Sequence, residues 1–307
     1  DNLVEKEDRY QLYSEFNIDI SDTTKLHLEY LFAHTEVPEW ATSPSYALLG
    51  APTATTSPVP GQFYIPGNNP GLVAFIAAHG GAGGTYNGYT SVGAQQNGVS
   101  NAGLAGGVLV VASRPFAMGG NPMFNYGAST GSRTFDAFRF GGDVKGEFAN
   151  GMNWNFSAYY GEEEGNRTGY DTVVSRYELA LRGLGGANCN GIVAGNAGST
   201  CQWFNPFSSA VPGNAISGVT NPGYNSALAN SADLTRWFFQ KLETTQTSGL
   251  FVVEAVLSGN LGWELGGGDA QWAAGVQYRR STFNSKYNDF SNRAVNPCID
   301  TPVNGST

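Results

Sequence analysis

The sequence predicts an all-β fold built from long antiparallel strands. The pattern is clearest between Leu250 and Phe283, where apolar and polar residues alternate on both sides of a Gly266–Asp269 turn. A period of two places successive side chains on opposite faces of a strand, and Gly and Asp supply the positive φ angles of a tight hairpin. The strands exceed the roughly 5–6 residues usual in soluble sheets. Length and alternation together are typical of a transmembrane β-barrel.

The composition agrees with a barrel that alternates lipid-facing and lumen-facing residues. The 307 residues include 42 glycines and only 13% charged residues, against roughly 25% in water-exposed domains. Mean hydropathy is −0.24, and no run approaches the roughly 20 apolar residues of a transmembrane helix. The net charge of −9 argues against nucleic acid as a partner.

Two further pairs of alternating segments resemble the first. The predicted hairpins are Tyr10–Ile20 with Lys25–Glu36 around Ser21–Thr23, and Thr134–Phe148 with Met152–Tyr160 around Asn150–Gly151. With the Leu250–Phe283 hairpin they give about six strands. We therefore interpret residues 1–307 as one partial barrel domain, since these strands alone could not close a barrel.

Long segments rich in Gly, Ser and Asn join these hairpins, at 37–131 and 161–245, and a third follows at 289–307. The predicted short helices within them are Asn69–Ala78, Asp171–Gly183 and Ser231–Leu242. Outer-membrane barrels have short periplasmic turns and long extracellular loops. The three tight turns are thus expected on the periplasmic side and the long loops outside the cell.

One set of alternating positions is expected to face lipid. Its members are Tyr10, Leu12, Phe16, Leu26, Leu28, Tyr30, Phe32, Phe138, Phe140, Phe156, Val253, Leu257 and Val276. Trp154, Trp263 and Trp272 lie beside predicted turns, where tryptophan is enriched at the membrane–water interface. We expect these three to form part of an aromatic girdle.

The three cysteines favour an oxidising compartment. Cys189 and Cys201 lie in one Gly/Asn-rich stretch and are predicted to form a disulfide, which leaves Cys298 without a partner in this sequence. The sequence begins without Met and stops within a predicted loop, so we expect a segment of a longer protein.

Four stretches together resemble a known family. They are DRYQLYSEFNIDISDTTKLHLEYLFAHTEVPE, RTFDAFRFGGDVKGEF, SRYELALRGLGGANCNG followed by CQWFNPFSSA, and GWELGGGDAQWAAGVQYRRSTF. In their order they are similar to the barrel domain of large-loop TonB-dependent outer-membrane receptors of Gram-negative bacteria, closest to the alphaproteobacterial type. The resemblance implies a barrel of about 22 strands with an N-terminal plug domain. It also implies import of a scarce solute, such as a siderophore or a carbohydrate, driven through the TonB system. The implied location is the outer membrane, with lipid and lipopolysaccharide as further partners.

Few residues in the sequence indicate a binding or catalytic function. The loop aromatics Tyr46, Tyr64, Tyr86, Tyr89 and Trp203 could stack on a substrate, although packing of the long loops is the commoner use of such residues. The three histidines and three cysteines lack metal-ligand spacing, so no metal, cofactor or enzymatic activity is predicted. The alternatives are a secreted or cell-surface Gly-rich structural or adhesion protein, and a soluble β-rich hydrolase domain.

Overall fold

The computed structural model describes residues 4–41, 49–51, 61–78, 85–86, 89–90, 107–110, 112–116, 120–214 and 217–295, with backbone only at 85–86, 89–90, 109 and 112. It is mostly antiparallel β-sheet. In chain order the strands are β1 (Asp8–Ser21), β2 (Thr24–Ala41), β3 (Leu49–Gly50), β4 (Phe63–Ile65), β5 (Thr85–Tyr86), β6 (Tyr89–Thr90), β7 (Val108–Val110), β8 (Ala112–Ser113), β9 (Thr130–Glu147), β10 (Asn153–Thr172), β11 (Gly213–Asn214), β12 (Val219–Thr220), β13 (Phe239–Leu265) and β14 (Gly268–Tyr287). The helices are α1 (Pro70–Ala78), α2 (Val174–Leu181) and α3 (Ala232–Phe238).

A single six-stranded sheet dominates the structure. Its strand order is β1-β2-β9-β10-β13-β14, and every neighbouring pair is antiparallel. The three predicted hairpins are confirmed, each with a short connection at the same end of the sheet. At Asn150–Gly151, Gly151 has a φ of 78°, the left-handed conformation that such a turn requires.

The register gives the sheet one continuous apolar face. Residues directly opposite one another in antiparallel strands lie on the same face. One such row, from β1 to β14, contains Ile18, Leu26, Val144, Phe156, Ala255 and Val276. All thirteen residues predicted to face lipid lie on this side, which we call the apolar face.

The opposite side, the polar face, carries the charged and amide side chains. One of its rows contains Asn17, His27, Asp143, Ser157, Glu254 and Gln277. The separation of the two faces is the direct consequence of the period-two pattern, because a register slip of one residue would exchange them.

Glycines and aromatic rings pack against each other across neighbouring strands. The Trp40 indole lies over Gly131, where an added Cβ would be 2.6 Å from the ring and 2.3 Å from the Thr168 carbonyl oxygen. The rings of Tyr159 and Trp154 cover other strand glycines in the same way. The high glycine content therefore makes room for large rings on the sheet.

We expect Gly131→Ala to destabilise the protein by about 1–3 kcal/mol, because the new methyl group must displace the Trp40 ring and the backbone oxygen of Thr168. The control is Gly266→Ala, since an added Cβ there meets nothing within 4 Å. It should change stability by less than about 0.5 kcal/mol. Denaturant unfolding of the intact protein measures both. Equal effects of the two substitutions would refute the packing role of Gly131.

At the end of the sheet opposite the tight turns, the two internal long connections fold together. We call the described residues of 42–129 and 173–238 the cap. Four two-stranded pairs lie within it, β3-β8, β4-β7, β5-β6 and β11-β12. Its hydrophobic core, which also includes the first residue of β13, consists of Phe63, Ile65, Leu72, Phe116, Tyr177, Ala180, Leu181, Phe204, Leu234, Phe238 and Phe239.

The predicted loop boundaries 37–131 and 161–245 are wrong at their ends. Strand β2 continues to Ala41 and β9 begins at Thr130, so the first connection is 42–129. Strand β10 continues to Thr172 and β13 begins at Phe239, so the second is 173–238. In the β10 extension, Gly161–Thr172, polar residues and glycines occupy both faces, which removes the alternation while the backbone ladder continues. Of the predicted loop 289–307, the structure describes turns up to Val295.

Two predicted helices are shorter than expected. Helix α2 begins at Val174, because Asp171 and Thr172 still pair with β13. Helix α3 ends at Phe238, and the chain passes directly into β13. The predicted Ser231 cap is confirmed, since its Oγ accepts a 3.1 Å hydrogen bond from the Leu234 amide. In the described part of the chain no helix has the length and apolar character needed to cross a membrane.

Candidate functional site

The apolar face forms a band that begins near the tight turns. On β2 it runs from Thr24 to Phe32, about eight residue steps or 27 Å along the strand. A strand tilt of about 40° would reduce this to roughly 20 Å, close to the apolar band of about 25 Å on outer-membrane barrels. Large side chains in the band remain open to solvent, with Phe16 56% and Val276 70% exposed. Soluble monomers rarely expose large contiguous apolar patches.

The band ends abruptly in polar residues on the side towards the cap. On the same face, His34 Nδ1 lies 2.6 Å from Asp136 Oδ1, and the Tyr160 hydroxyl donates a 2.8 Å hydrogen bond to Glu162. Glu164 follows Glu162 on this face. On this face, aromatic side chains therefore give way to ionisable ones towards the cap.

The three tryptophans proposed as a girdle all lie on the apolar face, at the end that carries the tight turns. Trp154 covers Gly146, and its ring centroid is 6.1 Å from that of Phe148. Trp272 pairs with Gly259, and Trp263 is 67% exposed. Their common position agrees with an interfacial belt, which remains a prediction.

The polar face is held by a network of ion pairs and hydrogen bonds. The Nη2 atom of Arg139 lies 2.9 Å from Oε1 of Glu29. The Nε2 group of Gln277 donates a 2.7 Å hydrogen bond to Oε2 of Glu254. Asp143 carries a buried carboxylate oxygen, Oδ2, without a hydrogen-bond partner among the described residues. This face is therefore suited to water or to a polar protein surface.

Buried polar residues join the two halves of the cap. Asn69 caps α1 through its Oδ1, and its Nδ2 donates to the carbonyl oxygens of Leu181 (3.1 Å) and Phe204 (3.0 Å). The hydroxyls of Tyr177 and Ser113 share a 2.6 Å hydrogen bond. Burial raises the pKa of the Tyr177 phenol, so this group stays protonated. The cap is thus one folded unit rather than two independent loops.

The predicted disulfide between Cys189 and Cys201 is formed. The two residues are 12 positions apart, and closing a loop of that length stabilises the fold by about 3 kcal/mol in a chain-entropy description. The bond lies beside the Gly185–Gln202 bridge at the edge of the cap. Cys298 lies outside the described residues.

The cap contains a pocket of about 410 Å³ between the stretches around Phe207 and Val219. Its lining combines prolines and valines with the amide residues Asn205, Asn214, Asn221 and Asn230 and the hydroxyl residues Ser208, Ser217 and Thr220. The Phe207 ring stacks on the ring of Phe75 in α1, with ring centroids 4.9 Å apart. Volume and lining fit a small-molecule site.

Of the loop aromatics predicted from sequence, the two with described side chains, Tyr64 and Trp203, do not line this pocket. Tyr64 is partly buried in β4, and burial raises its pKa. The Trp203 indole covers Gly183 and donates a 2.9 Å hydrogen bond to the Ala194 carbonyl oxygen. Tyr86 and Tyr89 are opposite one another in β5 and β6, where the structure describes the backbone only, and Tyr46 lies outside the described residues.

The residues that line the pocket were missed because their signal is weak in the sequence. Asn205, Pro206 and Phe207 belong to the FNPF run that supported the family resemblance, so that run was available as a clue. Val211 and Val219 stand singly among Gly, Ser and Asn. Only the fold brings these separate stretches together.

The described residues include no group of three or more His, Cys, Asp or Glu side chains that could hold a metal ion. No protein-family model matches the chain, and the comparison with curated proteins finds no match either.

Proposed function

We propose that the chain is a barrel segment of a TonB-dependent outer-membrane receptor that imports a scarce solute, a siderophore, a carbohydrate or a similar compound. The observation that carries the proposal is the exposed apolar band of the six-stranded sheet, backed by a polar face. A water-exposed sheet would bury that band against another layer. Lipid of the outer membrane is the environment in which it is stable without one.

The edges of the sheet also support a larger assembly. Within the described chain, β1 and β14 each pair on one side only, and β14 is 20 residues long. A long exposed edge strand invites pairing with another strand, and closure into a barrel removes the edge. Further strands of the same receptor would supply that pairing.

The remaining parts of the proposal follow from the family resemblance. The polar face would line the lumen and contact the plug domain. Lipopolysaccharide would surround the edge of the apolar band that is nearest the cap. The TonB system would supply energy through the plug. The cap would form the extracellular vestibule, in the outer membrane of a Gram-negative bacterium.

The test uses two insertions of one protease recognition sequence into the intact protein. One is placed at the Asn150–Gly151 turn and the other at Gly195–Asn196, where an added Cβ on Gly195 meets nothing within 4 Å. Protease added to whole cells should cut only the cap insertion. After permeabilisation of the outer membrane, both should be cut.

Cleavage at the Asn150–Gly151 turn from outside intact cells would contradict the proposal. It would favour the secreted or surface-adhesion alternative, in which both ends of the sheet are accessible. A cap insertion that is cut only after permeabilisation would reverse the orientation and equally exclude the receptor assignment.

A further inference from the structure

The cap pocket has features that select the chemistry of a ligand. Its apolar wall is formed by Pro115, Phe207, Val211, Val219 and Pro222, and amide, hydroxyl and glycine residues complete the lining. No charged side chain lies among its described lining residues. An ionised ligand would lose hydration in such a pocket without gaining a counter-charge. The lining therefore favours a ligand without net charge.

Two of the amide groups of the pocket are already engaged in holding its walls. The Asn221 Nδ2 group donates to the carbonyl oxygens of Ser208 and Val211, both at 2.8 Å. The Asn205 Nδ2 group donates to Ser209 Oγ at 3.1 Å and to the Leu228 carbonyl oxygen at 3.0 Å. A primary amide has two N–H donors, so both groups are fully used.

The amide of Asn230, one of the four lining asparagines, belongs to the same framework. The Asn230 Oδ1 accepts a 2.7 Å hydrogen bond from the Asn205 backbone amide, and its Nδ2 donates to the Asn205 carbonyl oxygen at 2.8 Å. These bonds connect two parts of the cap that are 25 residues apart. They make the pocket preformed, which lowers the ordering cost of binding.

A sugar would be a poor fit for this arrangement. Burying hydroxyl groups without hydrogen-bond partners is costly. The donors of Asn205 and Asn221 are already used, which leaves a sugar chiefly the hydroxyls of Ser208, Ser217 and Thr220. Apolar and aromatic groups lose little by entering a cavity lined with Pro, Val and Phe. Contact area, rather than hydrogen bonding, must then supply most of the affinity.

From these observations we infer that the cap pocket binds a small, uncharged, predominantly apolar molecule. This inference rests on the proposed receptor function and specifies the solute class within it: an apolar compound or the apolar part of a larger one, and not a carbohydrate. Phe207 is the aromatic residue of the lining, and Val219, which also lines the pocket, is 64% exposed.

The test measures binding of 7-methoxycoumarin, a neutral aromatic probe, to the intact protein in lipid nanodiscs, with empty nanodiscs as the blank. The variants are Val219→Asp and Val219→Lys. Because Val219 is mostly exposed, neither should disturb folding. Each should weaken binding at least tenfold, since either charge would have to be desolvated by the ligand. Maltotriose should not displace the probe.

Ile192→Asp is the matched control, because Ile192 is also an exposed apolar residue of the cap, 40% accessible, and does not line the pocket. It should bind the probe within twofold of the parent. Unchanged binding in both Val219 variants would overturn the inference, as would displacement by maltotriose. If only one of the two Val219 variants weakened probe binding, the inference that the pocket selects an uncharged ligand would be wrong. None of these outcomes depends on the protease-accessibility test, so failure of the ligand class and failure of the receptor assignment are distinguishable.

Discussion

Arginine at Ala158 is expected to destabilise the protein in its membrane by about 2–4 kcal/mol, whereas arginine at the adjacent Ser157 should change stability by less than about 0.5 kcal/mol. Ala158 lies on the apolar face, in the same row as Leu28 and Val253. In the proposed orientation this row is near the middle of the hydrocarbon layer, where a guanidinium group has no counter-charge.

Ser157 provides the matched control because it belongs to the same strand but to the polar face. It lies opposite Asp143 on one side and Glu254 on the other. An arginine there could donate to the Asp143 oxygen that has no hydrogen-bond partner in the described structure. The stability of both variants is measured by urea unfolding of the intact protein in lipid vesicles, and heat-modifiable migration reports the folded fraction.

The comparison separates a membrane-embedded sheet from a sheet in water. If the apolar face were exposed to solvent in the native protein, arginine at Ala158 would cost little, because surface substitutions usually change stability by less than about 0.5 kcal/mol. Equal stability of the two variants would therefore refute the lipid-facing assignment.

The sheet was largely predictable from sequence because its determinants are local. Alternation sets the face of each residue, and tight-turn residues such as Asn150 and Gly151 set the hairpins. Where alternation disappears, as from Gly161 to Thr172, the sequence wrongly predicted a loop, although β10 continues to pair with β13. Backbone pairing beyond the apolar band depends on the neighbouring strand and leaves no pattern in the residues themselves.

The cap was predictable only in fragments. Capping residues identified helices at Asn69 and Ser231, and two cysteines identified the disulfide. The contacts that make it one body join residues distant in sequence, such as Asn69 with Leu181 and Phe204. No local signal encodes such contacts. The common core and the full lining of the pocket therefore depend on the tertiary fold, although the FNPF run marks one part of the pocket.

Phe238→Ala is expected to destabilise the cap by about 3–5 kcal/mol while leaving the sheet intact. Phe238 is fully buried, and its ring centroid lies 5.1 Å from that of Phe204, 5.5 Å from Tyr177 and 5.8 Å from Phe116. Its removal leaves a cavity among residues contributed by both long connections. Since the cap is a single unit, both connections should become sensitive to protease together.

Ile192→Ala is the control, because Ile192 lies in the cap but is 40% exposed and outside the core cluster. It should leave protease resistance nearly unchanged. The measurement is the rate of limited proteolysis of the intact protein in vesicles, with fragments assigned by mass to 42–129, 173–238 or the strands. If Phe238→Ala opened only the 173–238 connection, the cap would be two separate loops. If the strands became sensitive at the same rate, cap and sheet would unfold as one unit, and the cap would owe its stability to the sheet rather than to its own core.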